Sequence, residues 1–189
     1  MSRLPSHDLA DAPPEIRPVL EGVARVSLTA SGRLLNLHAQ MAHAPAVLAA
    51  YAGIRKATED HGTFDFKTRT AIMLTVSCAQ RSDYAIAVNT LLAQRAGWSP
   101  DAVDRLKAGR RAGEPRLDAL LTVVRDASAS GGHVSDTTWR AALDAGNDDV
   151  TLAEAFVYIS LTQYVDHFLA YAETEYDVPT SASFANSNG

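Results

Sequence analysis

The residues able to do chemistry fall in two short stretches. The first is CAQRSDYAIAVN, residues 78–89, which opens on Cys78, the only cysteine in the chain, and carries Ser82, Asp83, Tyr84 and Asn89. The second is Asp166-His167, a carboxyl and an imidazole on adjacent residues of a long apolar segment. A single cysteine can form neither an intrachain disulfide nor a multi-thiolate zinc site. His38 and His43 lie on different helix faces and fit no ligand spacing such as His-Glu-x-x-His, so no metal site is expected. His7, His61 and His133 fall near expected loops and read as surface residues. His167, on an apolar face, is open to two readings, a satisfied core histidine and a general acid or base. Tyr84 and Asn89 can only orient a ligand or satisfy the core, because neither titrates near neutrality.

These residues need a scaffold, and the composition says which kind. The chain has 189 residues, enough for one sizeable core, and its 47% hydrophobic and 21% charged content marks an ordinary globular protein. A formal charge of −5 argues against general affinity for nucleic acid or anionic lipid. The local basic cluster Arg105, Lys107, Arg110, Arg111 and Arg116 lacks interleaved aromatics and reads as a solvated connection between helices. The central uncharged run TAIMLTVSCAQ is far too short to span a bilayer, and the start MSRLPSHDLADAPPE has no apolar signal region. A cytoplasmic, soluble protein is expected.

Almost every periodic segment reads as helix, and strand signals are nearly absent. A leader over 1–14 is expected to be flexible, followed by one helical domain over 15–178 and a flexible tail over 179–189. Within the domain, helices are expected over 15–31, 33–44 and from Pro45 to Gly62. The segment Lys67–Gln80 is apolar nearly all round and so must be buried on most sides. Ser82 or Asp83 can cap the next helix, which runs to Arg95 and stops at Gly97. Ser99-Pro100 restarts the chain, with further helices at 100–108, 115–130 and 136–145. The last helix is expected to open on the capping box Thr151-x-x-Glu154 and run to about Glu175. It has one apolar stripe of Tyr158, Leu161, Val165, Phe168 and Ala172, and another of Leu152, Phe156, Ile159 and Gln163. A helix apolar on two sides is either central or shared with another subunit.

The segment KTRTAIMLTVSCAQRSDYAIAVNTLLAQRAGWSPDAVDRL resembles the core helix pair of the carboxymuconolactone decarboxylase superfamily, which includes the alkylhydroperoxidase D-like proteins. NLHAQMAHAPAVLAAY resembles the upstream helices of that family. The stretch from Gly131 to Pro179 resembles its closing helices and terminal Asp-x-Pro, so the likeness covers roughly residues 30–180. It implies an all-α, single-domain helical bundle that assembles as a homo-oligomer, a trimer or hexamer, with no cofactor.

Carried over by position, the family's Cys-x-x-Cys falls on Ser82 and Ala85, its histidine on Asn89 and its glutamate on Thr70; Arg69, Tyr84 and Gly97 are kept. Positions 82, 85 and 89 share one helix face, where a helix N-terminus would acidify a thiol. A hydroxyl and a methyl cannot cycle between dithiol and disulfide, so the two-thiol peroxidase cycle is excluded within one chain. The decarboxylase branch needs no thiol and implies acid–base chemistry on a small lactone or carboxylate, in a pocket between core and closing helices lined by Tyr84, Asn89, Asp166 and His167. Two rivals stand beside it: a catalytically silent oligomeric binding protein, and a residual peroxidase using Cys78 as a displaced thiol. Cys78 itself is expected to be an inert core residue.

Overall fold

The computed structural model describes residues 2–25 and 33–178. Among these residues the regular structure is nine α-helices and no β-strand: α1 Arg17–Ala24, α2 Asn36–Met41, α3 Pro45–His61, α4 Phe66–Gln80, α5 Asp83–Arg95, α6 Pro100–Lys107, α7 Pro115–Ala129, α8 Asp136–Asp144 and α9 Asp149–Ala172. The expected all-α class holds, and most helix bounds agree with the sequence reading to within two residues. The first helix ends at Ala24, and residues 26–31 of its expected span lie outside the described residues. The expected tail likewise lies outside them, apart from the residues up to Val178. Contacts group the chain into two compact units, one of residues 1–60 with 167–189 and one of residues 61–166.

The unit of residues 61–166 is organised by α4. Asp65 caps it by accepting the Thr68 N–H at 2.7 Å. Ala71, Ile72, Leu74, Val76 and Ser77 are fully buried, as an apolar circumference requires. Helices α5, α6 and α7 pack against α4, α8 packs on α7, and one core runs from Ile72 through Val103 and Val124 to Tyr158. Trp98 is fixed where its indole N–H donates to the Lys67 carbonyl at 3.0 Å, with the Lys67 ammonium 4.4 Å from the ring centroid. Gly97, at φ +90°, ends α5 as expected, and the Ser99 hydroxyl caps α6.

The start of α9 departs from expectation. The helix begins two residues before Thr151, and Asp148 accepts the Thr151 N–H at 2.7 Å. Glu154 is thereby freed from a capping box. Its carboxylate takes the N–H groups of Thr63 and Phe64, at 2.7 and 3.2 Å, and pins the loop that leads into α4. An aspartate three residues upstream of a threonine competes for the same N–H as a capping box, and here the earlier cap wins. Phe156, expected in an apolar stripe, is 65% exposed, whereas Tyr158, Ile159 and Leu161 are buried.

The other unit contains α1, α2, α3 and the end of α9 with the segment after it. Here α2 lacks a cap of its own, and the Asp177 carboxylate accepts the Asn36 N–H at 2.6 Å in its place. Hydrogen bonds and an ion pair join the leader to this unit. Arg3 N–H donates to the Ala172 carbonyl, His7 N–H donates to Ala39, and Arg3 pairs with Glu173. Buried backbone groups demand partners, and a polar leader supplies them.

Between α4 and α5 the chain turns through Arg81 at φ +56°, where its N–H and that of Ser82 donate to the Cys78 and Ser77 carbonyls. A side chain at positive φ costs about 1 kcal/mol, and Arg81 is exposed. Arg81→Gly should therefore stabilise the protein by about 0.5–1 kcal/mol, less the extra unfolded-state entropy of glycine. Urea unfolding of the two proteins measures this, and a destabilised variant would contradict it.

Candidate functional site

The tight α4–α5 turn brings the end of one helix against the start of the next, and the sequence places polar residues on both. Ser77, one turn before Arg81, is fully buried. From α5, Asn89 is also buried and donates from Nδ2 to Ser77 Oγ at 3.0 Å. From α9, Asp166 is buried as well, and Ser77 Oγ lies 3.4 Å from its Oδ1. Three helices thus bring an amide, a hydroxyl and a carboxyl into one line. The second carboxyl oxygen, Oδ2, is buried and has no partner in hydrogen-bonding geometry.

That environment sets the chemistry of Asp166. Burial pushes its carboxyl up to about 7 from 3.8, and hydrogen bonding with Ser77 and Ser82 only partly opposes the shift. A carboxylic acid that titrates near neutrality can both give and take a proton at working pH. Ser82 stands at the N-cap position of α5 as expected, but its hydroxyl makes no cap bond; it lies close enough to the Asp166 carboxyl to favour the ionised form.

The other expected residues are distributed as follows. Tyr84 and Ala85 are buried on α5, and Thr70 is buried on α4 with its hydroxyl donated to the Lys67 carbonyl at 2.9 Å. A threonine satisfied by its own helix has no proton to exchange with a ligand. Cys78 is half-buried against the core. Burial and the Asp166 charge raise its thiol pKa, while Lys107 and Arg125 pull it the other way. The net direction is up, which keeps the thiol protonated and poorly nucleophilic at neutral pH. His167 is exposed although Asp166 beside it is buried, so the apolar surround expected for the imidazole belongs to the carboxyl.

His38 is buried, its Nε2 3.1 Å from the Tyr51 hydroxyl, and burial lowers its pKa to about 3. It is therefore neutral at any ordinary pH. His43 is exposed and meets His7, Nδ1 to Nε2, at 3.1 Å. Among the described residues no group of three or more His, Cys, Asp or Glu side chains is placed to hold a metal ion. A cavity of about 530 Å³ opens between the start of α7 and α8, with Arg111, Asp118, Thr122 and Thr138 in its wall. None of the expected site residues lines it.

Ser77 was missed by sequence reasoning. Its signal is a small polar residue in a helix otherwise buried all round, seven residues after Thr70 and hence on the same face. A polar atom in that position must find a partner, and the partner is the chemistry.

The raised Asp166 carboxyl makes stability fall as pH rises. Between about pH 4 and 7 the folded protein holds a proton that the unfolded chain has lost, so rising pH favours unfolding through that window. A folded value near 7 against 3.8 corresponds to about 4 kcal/mol as an upper bound. Asp166→Asn should match the native protein near pH 4 and be the more stable of the two at pH 8. Denaturant unfolding at both pH values measures it, and parallel stability curves would count against a neutral buried carboxyl.

No family model matches the sequence, and no curated protein sequence matches it. Solved structures do match. A peroxidase-related protein from Ralstonia eutropha JMP134, an alkylhydroperoxidase AhpD core, superposes with a TM-score of 0.78 at 19% identity, over 97% of this chain and 94% of that one. A cysteine-to-alanine variant of the debrominase Bmp8, in complex with 2,3,4-tribromopyrrole, superposes with a TM-score of 0.78 at 16% identity, over 100% and 97% of the two chains. A peroxidase-related protein from Silicibacter sp. TM1040 gives 0.71 at 14% identity, over 97% and 93%. At such identities shared architecture is what the likeness establishes. The helices, their order and their packing give this chain the all-α fold of the alkylhydroperoxidase AhpD core.

Proposed function

We propose that this protein uses the alkylhydroperoxidase D-like scaffold for thiol-independent acid–base chemistry on a small organic molecule, with Asp166 as the proton-exchanging group. The observation that carries the reading is the buried carboxyl with one oxygen bonded to Ser77 and the other without a partner. It lies beside Ser82, the position that corresponds to the first redox cysteine of the peroxidase branch. In this reading Ser82 and Asn89 polarise and orient the ligand. This role moves the general acid from His167 to its neighbour. A small lactone or carboxylate suits a site that exchanges protons without a metal or a redox pair. The structural neighbour that binds 2,3,4-tribromopyrrole supports a compact, polar organic ligand on this fold.

The test is a panel of small carboxylated lactones and halogenated pyrroles, screened by ligand-observed NMR and followed for turnover. Binding or turnover should follow one ionisation near pH 7, fall by at least about 100-fold in Asp166→Asn, and persist in Cys78→Ser. Loss in Cys78→Ser, together with thiol-dependent peroxide consumption, would favour the residual peroxidase instead.

A specific observation also supports the expected self-association. Val150 and Phe156 on α9 are 68% and 65% exposed, large apolar side chains that a monomer would leave in water. We propose that they pack against a second copy of the chain in a homo-oligomer, a trimer or hexamer. Phe156→Asp should shift the mass measured by light scattering toward the monomer without altering helical content. An unchanged mass would remove α9 from the interface. If no ligand is found while the oligomer persists, the silent binding-protein reading gains.

A further inference from the structure

The directions of the hydrogen bonds at Asp166 say which of its two oxygens carries the proton. Asn89 Nδ2 can only donate, and it donates to Ser77 Oγ at 3.0 Å. That contact occupies a lone pair of the hydroxyl and leaves its single O–H to point elsewhere. The acceptor within reach is Asp166 Oδ1, at 3.4 Å. An oxygen accepting an O–H is the carbonyl-like one, and Oδ2, buried and in hydrogen-bonding geometry with no group, the nearby Ser82 hydroxyl included, is the other.

We infer that Asn89 and Ser77 form a one-way relay that holds Asp166 Oδ1 as acceptor and leaves Oδ2 as the proton-bearing oxygen, the one that would give its proton to a hydrogen-bond-accepting substrate oxygen such as a carbonyl or enolate. The inference deepens the proposed function and rests on it for the identity of the acceptor. The proton leaves Oδ2 for the substrate oxygen, forming an O–H bond there and a carboxylate on Asp166. The new negative charge is shared with Oδ1, which already accepts Ser77 and needs no rearrangement to do so. Solvent returns the proton when the product leaves. Asn89 and Ser77 are positioning residues in this scheme, and Asp166 is the group that meets substrate. Burial and the hydroxyls of Ser77 and Ser82 set the carboxyl's protonation. Its titratable neighbour is Cys78, which itself lies in the field of Lys107 and Arg125.

Infrared difference spectra of protein labelled with ¹³C at aspartate carboxyls, taken between pH 5 and 9, test the relay without a substrate. The band absent from Asp166→Asn is the buried acid. In Ser77→Ala its C=O stretch should move to higher frequency, as for an unbonded carbonyl, and its titration midpoint should rise by about one pH unit. Asn89→Leu should move the midpoint the same way by less, and should add nothing in a Ser77→Ala background. Ser77→Thr, which keeps the hydroxyl, should restore both readings and so serves where Ser77→Ala folds poorly. An unmoved C=O stretch in Ser77→Ala, or independent, additive effects of the two substitutions, would overturn the relay. A relay confirmed in protein that turns over none of the panel would leave the inference standing and remove the proposed function.

Discussion

Helix α4 is buried on most of its sides beyond its first turn, and the unit built around it follows from that. Its apolar circumference forces α5, α6 and α7 to cover it from different sides, which places the ends of several helices close together. The same burial dictates the fate of each polar atom on α4. Thr70 returns its hydroxyl to its own helix, which costs nothing in tertiary specificity. Ser77 cannot do so at no cost to its neighbours, because Asn89 donates to it from α5 and the Asp166 carboxyl stands across from it on α9. A single buried hydroxyl thus couples three helices, and an unsatisfied polar atom there would cost about 1–3 kcal/mol.

The helices were legible because their signals are local. The Ser99 cap, Pro45 and Pro100 at helix starts, and Gly97 at a helix end act over a few residues and need no knowledge of the fold. What failed locally was a competition: Asp148 and Thr151 both offered a cap, and only the packed loop at Thr63 and Phe64 shows why Glu154 was wanted elsewhere. Asp177 shows the same limit at longer range. Its carboxylate closes α2, far away in sequence, and no pattern in either segment announces the pairing.

The site was half legible for a similar reason. Ser82, Ala85 and Asn89 could be read because resemblance fixes their register on one helix, and Asp166 was named beside His167. Which of the adjacent pair would be buried was not legible. On a helix, neighbours differ by about 100° in direction, so the apolar stripes of α9 could admit one or the other. The residue inside is Asp166, and His167 is exposed. That distinction changes the chemistry, since a carboxyl taken out of water is remade by its surroundings.

The raised thiol of Cys78 and the raised carboxyl of Asp166 follow from one electrostatic setting. A peroxidatic thiol needs an environment that favours its anion, and Cys78, half-buried and near Asp166, has the opposite. A buried region that disfavours anions suppresses thiolates and at the same time lifts a carboxyl toward neutrality, where it becomes a useful proton donor. The desolvation that makes Cys78 inert therefore makes Asp166 responsive. Cations strong enough to activate the sulfur would also draw Asp166 back toward an ordinary carboxylate. The two chemistries compete for the same few ångströms of the fold, and here Ser77 and Asn89 add hydrogen bonds that serve only the carboxyl.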